Sequence, residues 1–186
     1  VHSIGRGASP DLVFRYVLEQ EGLERQMDVE YGYAQVELSQ LLIAGRVDAG
    51  VLPEPFVTRV LAENSELGIV ADLQELFARH AESELPQTVL LVRSPDNPPV
   101  DELVELLEQS VDEVLSNPDA SAELVAGLDL GLDAETARAS LPRLNLRVEG
   151  AAESRAALER YLSILYEFEP ASVGGSLPDE AFYGGD

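Results

Sequence analysis

The sequence predicts an α/β fold, a lobe built on a mostly parallel sheet covered by helices and followed by a helical C-terminal portion. Three observations carry that expectation. Short apolar runs alternate with amphipathic stretches from residue 1 to about residue 90, the pattern of βαβα units. The stretch Ser94-Pro95-Asp96-Asn97-Pro98-Pro99 then breaks the alternation. Beyond it Val100, Leu103, Val104, Leu107, Val111, Val114 and Leu115 recur at helical spacing on one face. The chain accordingly divides into an α/β lobe, 1–93, and a mainly helical region, 94–186.

Each element has a local reason. His2 to Ile4 is short and strand-like. Ser9 is placed to cap a helix that starts on Pro10, with Asp11 adding negative charge to its first turn. Leu12, Val13, Phe14, Tyr16, Val17 and Leu18 make that helix apolar on most sides, which predicts burial, and Gly22 ends it. Val29 to Tyr33 is the second strand, Val36 to Ala44 the second helix and Val47 to Leu52 the third strand. Phe56 to Glu63 comes next as a third helix, with short strands at Gly68 to Ala71 and Gln87 to Arg93. In the second half, Asn117-Pro118 stops one helix and Asp119 starts the next. Asp133 caps a third helix that runs to Leu141-Pro142, Asn145 to Val148 is extended, and Ala157, Tyr161, Ile164, Leu165 and Phe168 mark a last helix.

Composition narrows the function. The net charge is −23, from 35 acids against 12 bases, and every base is Arg. Nucleic acid is not an expected partner, because phosphate contacts need a basic face. An anionic membrane surface would also repel the chain. Acids spread over every helix read as solvated faces whose mutual repulsion salt would relieve, a composition that suits a salt-loving source. With no Cys there is no disulfide, thiolate nucleophile or Cys-ligated metal, and with no Lys there is no Schiff base and no P-loop. His2 and His80 are the only histidines, and no zinc-protease, nucleophile-elbow or calcium-loop pattern occurs. No catalytic residue, metal or cofactor is expected, and the chain reads as a binding protein rather than an enzyme.

Two loops are candidate ligand contacts. Gly5-Arg6-Gly7-Ala8-Ser9 leads into a helix N-terminus, where free N–H groups and the positive dipole end suit an anion or a polar oxygen. Arg6, Gly7, Ala8 and Ser9 are the residues singled out there. The glycine spacing is not a dinucleotide fingerprint, and Asp11 places a like charge against an anion, which Arg6 would offset. In Pro53-Glu54-Pro55-Phe56 two prolines force the chain off the preceding strand. Glu54 is placed to accept from a ligand amine or hydroxyl, and Phe56 to give an apolar wall. The plainer reading makes this an ordinary strand-to-helix turn, with Phe56 in the core and Glu54 in solvent. Tyr31 and Tyr33 share one face of a strand, and either lines the cleft or packs.

Three ordered stretches resemble periplasmic solute-binding proteins of ABC transporters, in the nitrate/sulfonate/taurine and thiamine-precursor group. They are the opening Val1-His2-Ser3-Ile4-Gly5-Arg6-Gly7-Ala8-Ser9-Pro10-Asp11-Leu12, the strand Ala44 to Phe56, and the tail Leu165 to Phe168 with Ser172 to Tyr183. The resemblance implies that residues 1–93 form the second lobe and 94–186 would complete a first lobe whose N-terminal part is missing here. It implies a protein outside the cytoplasmic membrane, periplasmic or a cell-surface lipoprotein, that captures an oxyanion, a sulfonate or a pyrimidine-like solute through Arg6, Gly7, Ala8, Ser9, Tyr33, Pro53, Glu54 and Phe56 and delivers it to a membrane permease. Apolar faces on the helices after residue 100 would then pack together or on a second copy. Two other readings share this fold: the effector domain of a LysR-type regulator, which would need a helix-turn-helix domain, and a pyrimidine-precursor synthase.

Overall fold

The computed structural model describes residues 1–92 and 99–183. Among these, eight α-helices run in order: α1 (Ser9–Gln20), α2 (Gln35–Ile43), α3 (Phe56–Glu63), α4 (Leu73–Ala81), α5 (Val100–Ser116), α6 (Pro118–Gly127), α7 (Ala134–Leu144) and α8 (Ala151–Phe168), with 3-10 turns at Pro170–Val173 and Glu180–Tyr183. The predicted α/β fold with a mostly parallel sheet is overturned, because among the described residues no sheet forms. What stands in its place is two single-residue parallel bridges, His2 to Glu30 and His2 to Gly50. The physical reason is length. Gly5, Gly32 and Pro53 cut the extended segments short, so each neighbour contributes one bridging residue where a ladder needs several in succession. The strands expected at 68–71 and 87–92 have no partner either among the described residues, and their side chains are open to solvent, Val70 completely and Leu91 at 70%. Arg93 and the boundary expected at Ser94 to Pro99 lie outside the described residues, apart from Pro99.

The main core gathers α1, α4 and α8. Leu12, Val13, Tyr16 and Val17 of α1 meet Phe77 and Ala81 of α4 and Tyr161, Ile164 and Leu165 of α8. Phe77 is fully buried and sits at its centre, with ring centroids 5.5 Å from Tyr16 and 6.0 Å from Tyr161, tilted and edge-on. Burial pushes the hydroxyl pKa of Tyr16 and Tyr161 up. Helix α4 is not among the predicted elements. Its sequence carries a sound cap: Asp72 accepts from the backbone N–H of Gln74 at 2.8 Å and of Glu75 at 3.3 Å.

A second core joins α2 and α3 to the extended segments. Leu38, Leu42 and Val60 form it, with Ile4, Tyr33, Val47 and Leu52 packed around them. Gly50 is needed here, since a Cβ at that position would lie 3.1 Å from Leu42 Cδ1 and 3.3 Å from both Leu38 methyls. Helices α6 and α7 pack on one another, and their buried residues are small, Ala122 on α6 and Ala137 and Ser140 on α7. Asp133 caps α7 as its spacing predicts, accepting from Thr136 N–H at 2.8 Å, and those Thr136 hydrogen bonds hold its carboxyl below the usual range. Helix α5 has no buried residue, and Leu106, Leu107 and Leu115 face solvent.

Candidate functional site

The three extended segments run parallel with His2 in the middle. His2 N–H donates to Ala49 O at 3.1 Å, Val51 N–H to His2 O at 2.9 Å, Ser3 N–H to Glu30 O at 2.9 Å and Glu30 N–H to Val1 O at 2.9 Å. Parallel segments in register deliver their carboxyl ends to one side of the molecule. The loops that leave those ends are therefore neighbours: Gly5–Ser9 after the first, Tyr33 after the second, Pro53–Phe56 after the third. The His2 and Tyr33 rings lie 5.2 Å apart, which fixes Tyr33 beside the central segment while it also packs on the second core. Two buried polar atoms, His2 Nδ1 and Ser3 Oγ, lack a hydrogen-bond partner just before the first loop, and Glu30 Oε2 is 3.6 Å from that His2 nitrogen.

The Gly5–Ser9 turn is held from below. Gly5 and Gly7 take positive φ, 60° and 78°, which only glycine adopts without strain. Ala8 N–H closes the turn on Gly5 O at 2.7 Å. Asp11 is fully buried and accepts from Gly7 N–H at 2.8 Å and from the Tyr31 hydroxyl. Asp11 thus folds the turn from within instead of facing a ligand. Tyr31 is pushed up to about 12 by burial first and by its hydrogen bond to Asp11 second. The Arg6 guanidinium lies 5.4 Å over the Tyr31 ring and the side chain stays exposed. The expected cap is corrected: Ala8 is the N-cap, and Ser9 is the first helical residue and caps nothing.

At the third loop Pro55 is the N-cap of α3, the Glu54–Pro55 bond is cis, and Pro53 and Phe56 are half-buried. Both oxygens of Glu54 are engaged inside the protein. Oε2 accepts from Thr58 N–H at 3.1 Å, and Oε1 accepts from Arg143 Nε, 89 positions away on α7. Arg143 Nη2 also donates to Thr58 Oγ1, and the Glu54 side chain is only 10% exposed. Neither sequence reading of Glu54, ligand acceptor or solvated acid, describes this clamp of α3 to α7. Arg143 and Asp11 are not among the residues the sequence marks as functional. The signal for Asp11 is an acid set among the apolar residues of α1; nothing in the sequence signals Arg143.

Two open cavities are lined by other residues than these loops, the second reaching Tyr31 beside the first loop. One, of about 520 Å³, lies at the end of α4 and includes His80, Ser83 and Arg160. The other, of about 380 Å³, lies between α1, Tyr31 and Phe168. Among the described residues no group of three or more His, Asp or Glu is arranged to hold a metal ion, and no helix is long and apolar enough to cross a membrane.

No protein-family model matches the chain. No curated protein matches it either. A solved structure of an ABC transporter from Parabacteroides distasonis is similar, with a TM-score of 0.83 at 24% identity over 97% of this chain and 64% of that one. The chain therefore spans about 64% of the length of that structure, and what the two share is the fold.

Proposed function

We propose that this chain belongs to the solute-binding component of an ABC importer and acts by binding, not by catalysis. The observation that carries the reading is the likeness of nearly the whole chain to an ABC transporter structure. The meeting of three loops at one end of parallel segments supports it. In this reading Arg6 and Ser9 offer N–H groups and Arg6 a positive charge, on a turn shaped by Gly7 and Ala8, to a small polar solute, an oxyanion, a sulfonate or a pyrimidine-like compound. Tyr33, Pro53 and Phe56 wall the site, and Glu54 holds the third loop in place through Arg143. The protein works outside the cytoplasmic membrane and hands its solute to a permease. A second copy would pack on the exposed leucines of α5.

A thermal-shift screen with nitrate, taurine and hydroxymethylpyrimidine tests this. A solute present at a hundred times its Kd stabilises the fold by about 2.7 kcal/mol. One of the three classes should raise the melting temperature, and Arg6→Gln, a change at an exposed side chain, should reduce that rise. If none of them shifts the melt, or if Arg6→Gln leaves the shift intact, the assignment of the loops fails.

A further inference from the structure

We propose that the cavity between α1, Tyr31 and Phe168 is a second, separate binding site, and that it takes a small amphoteric molecule with an apolar body, of the kind of an aliphatic α-amino acid. Its volume of about 380 Å³ lies within the range of small-ligand sites, roughly 300–1,000 Å³. Its wall is mixed: Leu18, Met27, Val29, Tyr31 and Phe168 give it apolar surface, with Val29 and Tyr31 on one face of an extended segment, and Arg15, Glu19 and Glu24 give it charge.

The charges at its edge select the ligand. Arg15 and Glu19 are one helical turn apart on α1 and both line the cavity. At that spacing opposite charges commonly pair. Here neither has an ion-pair partner among the described residues. The Arg15 guanidinium lies 5.8 Å over the Phe168 ring instead. Stacked this way, a guanidinium keeps its N–H edge free to grip a carboxylate with two bonds. Glu24, the other acid on the wall, is 3.9 Å from Arg25, which leaves Glu19 to receive an ammonium. A positive and a negative group on a wall that also carries Leu18, Met27, Val29 and Phe168 complement a carboxylate and an ammonium on one aliphatic body. A ligand with only one of the two charges would leave either Arg15 or Glu19 unmet.

Met27 is the only methionine in the chain, so protein labelled with ¹³C at the methionine methyl gives one resonance, from the wall of this cavity. L-leucine is titrated against it, with isocaproate, which lacks the ammonium, and isoamylamine, which lacks the carboxylate. The methyl peak should move along a saturable curve with leucine, and each of the other two should bind about tenfold more weakly or worse. Arg15→Gln and Glu19→Gln should each weaken leucine by about the same factor. Both side chains are exposed, and an unchanged starting position of the methyl peak reports that each variant still folds. A methyl peak that stays still or drifts without saturating overturns the site. Equal affinity for all three compounds overturns the amphoteric specificity whether or not the variants fold.

Discussion

Glu54 and Asp11 are the two acids whose roles the fold decides. Each is taken out of water and given donors: Arg143 and Thr58 N–H for Glu54, Gly7 N–H and the Tyr31 hydroxyl for Asp11. Hydrogen bonds to a charged group contribute about 1.5–3 kcal/mol each, and removing one partner leaves the other unmet. Glu54→Gln should therefore lower the unfolding free energy by about 2 kcal/mol, measured as a drop in the urea midpoint at unchanged slope. A midpoint equal to that of the parent would mean the Arg143 clamp contributes nothing. Tyr31 sets a pH dependence. Its hydroxyl is held up to about 12 in the fold, against 10.0 for the free side chain. Its contribution is fully present below pH 10 and is lost as pH rises through about 12. Tyr16 and Tyr161 shift in the same direction, so Tyr31→Phe should flatten the alkaline loss of stability without abolishing it. An alkaline melting profile identical to that of the parent would rule out the Tyr31–Asp11 bond as its source.

Elements are legible where the sequence carries local punctuation. Phe56–Glu63 matches its prediction residue for residue, Asn117-Pro118 stops α5 as predicted while α6 begins at Pro118, one residue before the expected Asp119, and Asp133 caps α7. The sheet is not legible in the same way. Strand composition at Val47 to Leu52 or Gln87 to Val92 describes a preference for extended backbone, while a sheet requires partners in register, which sequence alone does not supply. Helix α4 escapes the apolar pattern although Asp72 is a good cap, because its large apolar residues, Leu73, Leu76 and Phe77, stand among Gln74, Glu75, Arg79 and His80. At the site, the glycines of the first loop announce the turn, but the Glu54–Arg143 pairing spans 89 positions and leaves no local trace. Because α4 places Phe77 at the centre of the main core, its cap matters beyond its own turn. Asp72→Ala should cost about 1 kcal/mol and show first as faster amide exchange in α4. Unchanged exchange across Leu73–Ala81 would show that tertiary packing alone holds this helix.

For the molecule as a whole, charge repulsion is a large unfavourable term. Helix α5 carries Asp101, Glu102, Glu105, Glu108, Asp112 and Glu113, and none of them has a basic partner among the described residues. At about 0.15 M salt the screening length is about 8 Å, and at about 1 M it is about 3 Å, so these acids repel strongly in the first case and barely in the second. The melting temperature should climb steadily with sodium chloride. A variant with Glu102, Glu105 and Glu108 changed to Gln should start more stable and gain less; a flat response in the parent would mean that repulsion among the acids contributes little to stability despite the net charge of −23. In the proposed reading the solute meets this acidic protein at Arg6 and the N-terminal end of α1. Amide NMR reads that place directly. Uniformly ¹⁵N-labelled protein is titrated with nitrate, taurine and hydroxymethylpyrimidine, and saturable shifts should cluster on Gly5, Arg6, Gly7, Ala8, Ser9, Tyr33 and Phe56 for one of them. Saturable shifts confined to other parts of the molecule, or none with any of the three, would contradict a solute site formed where these loops meet.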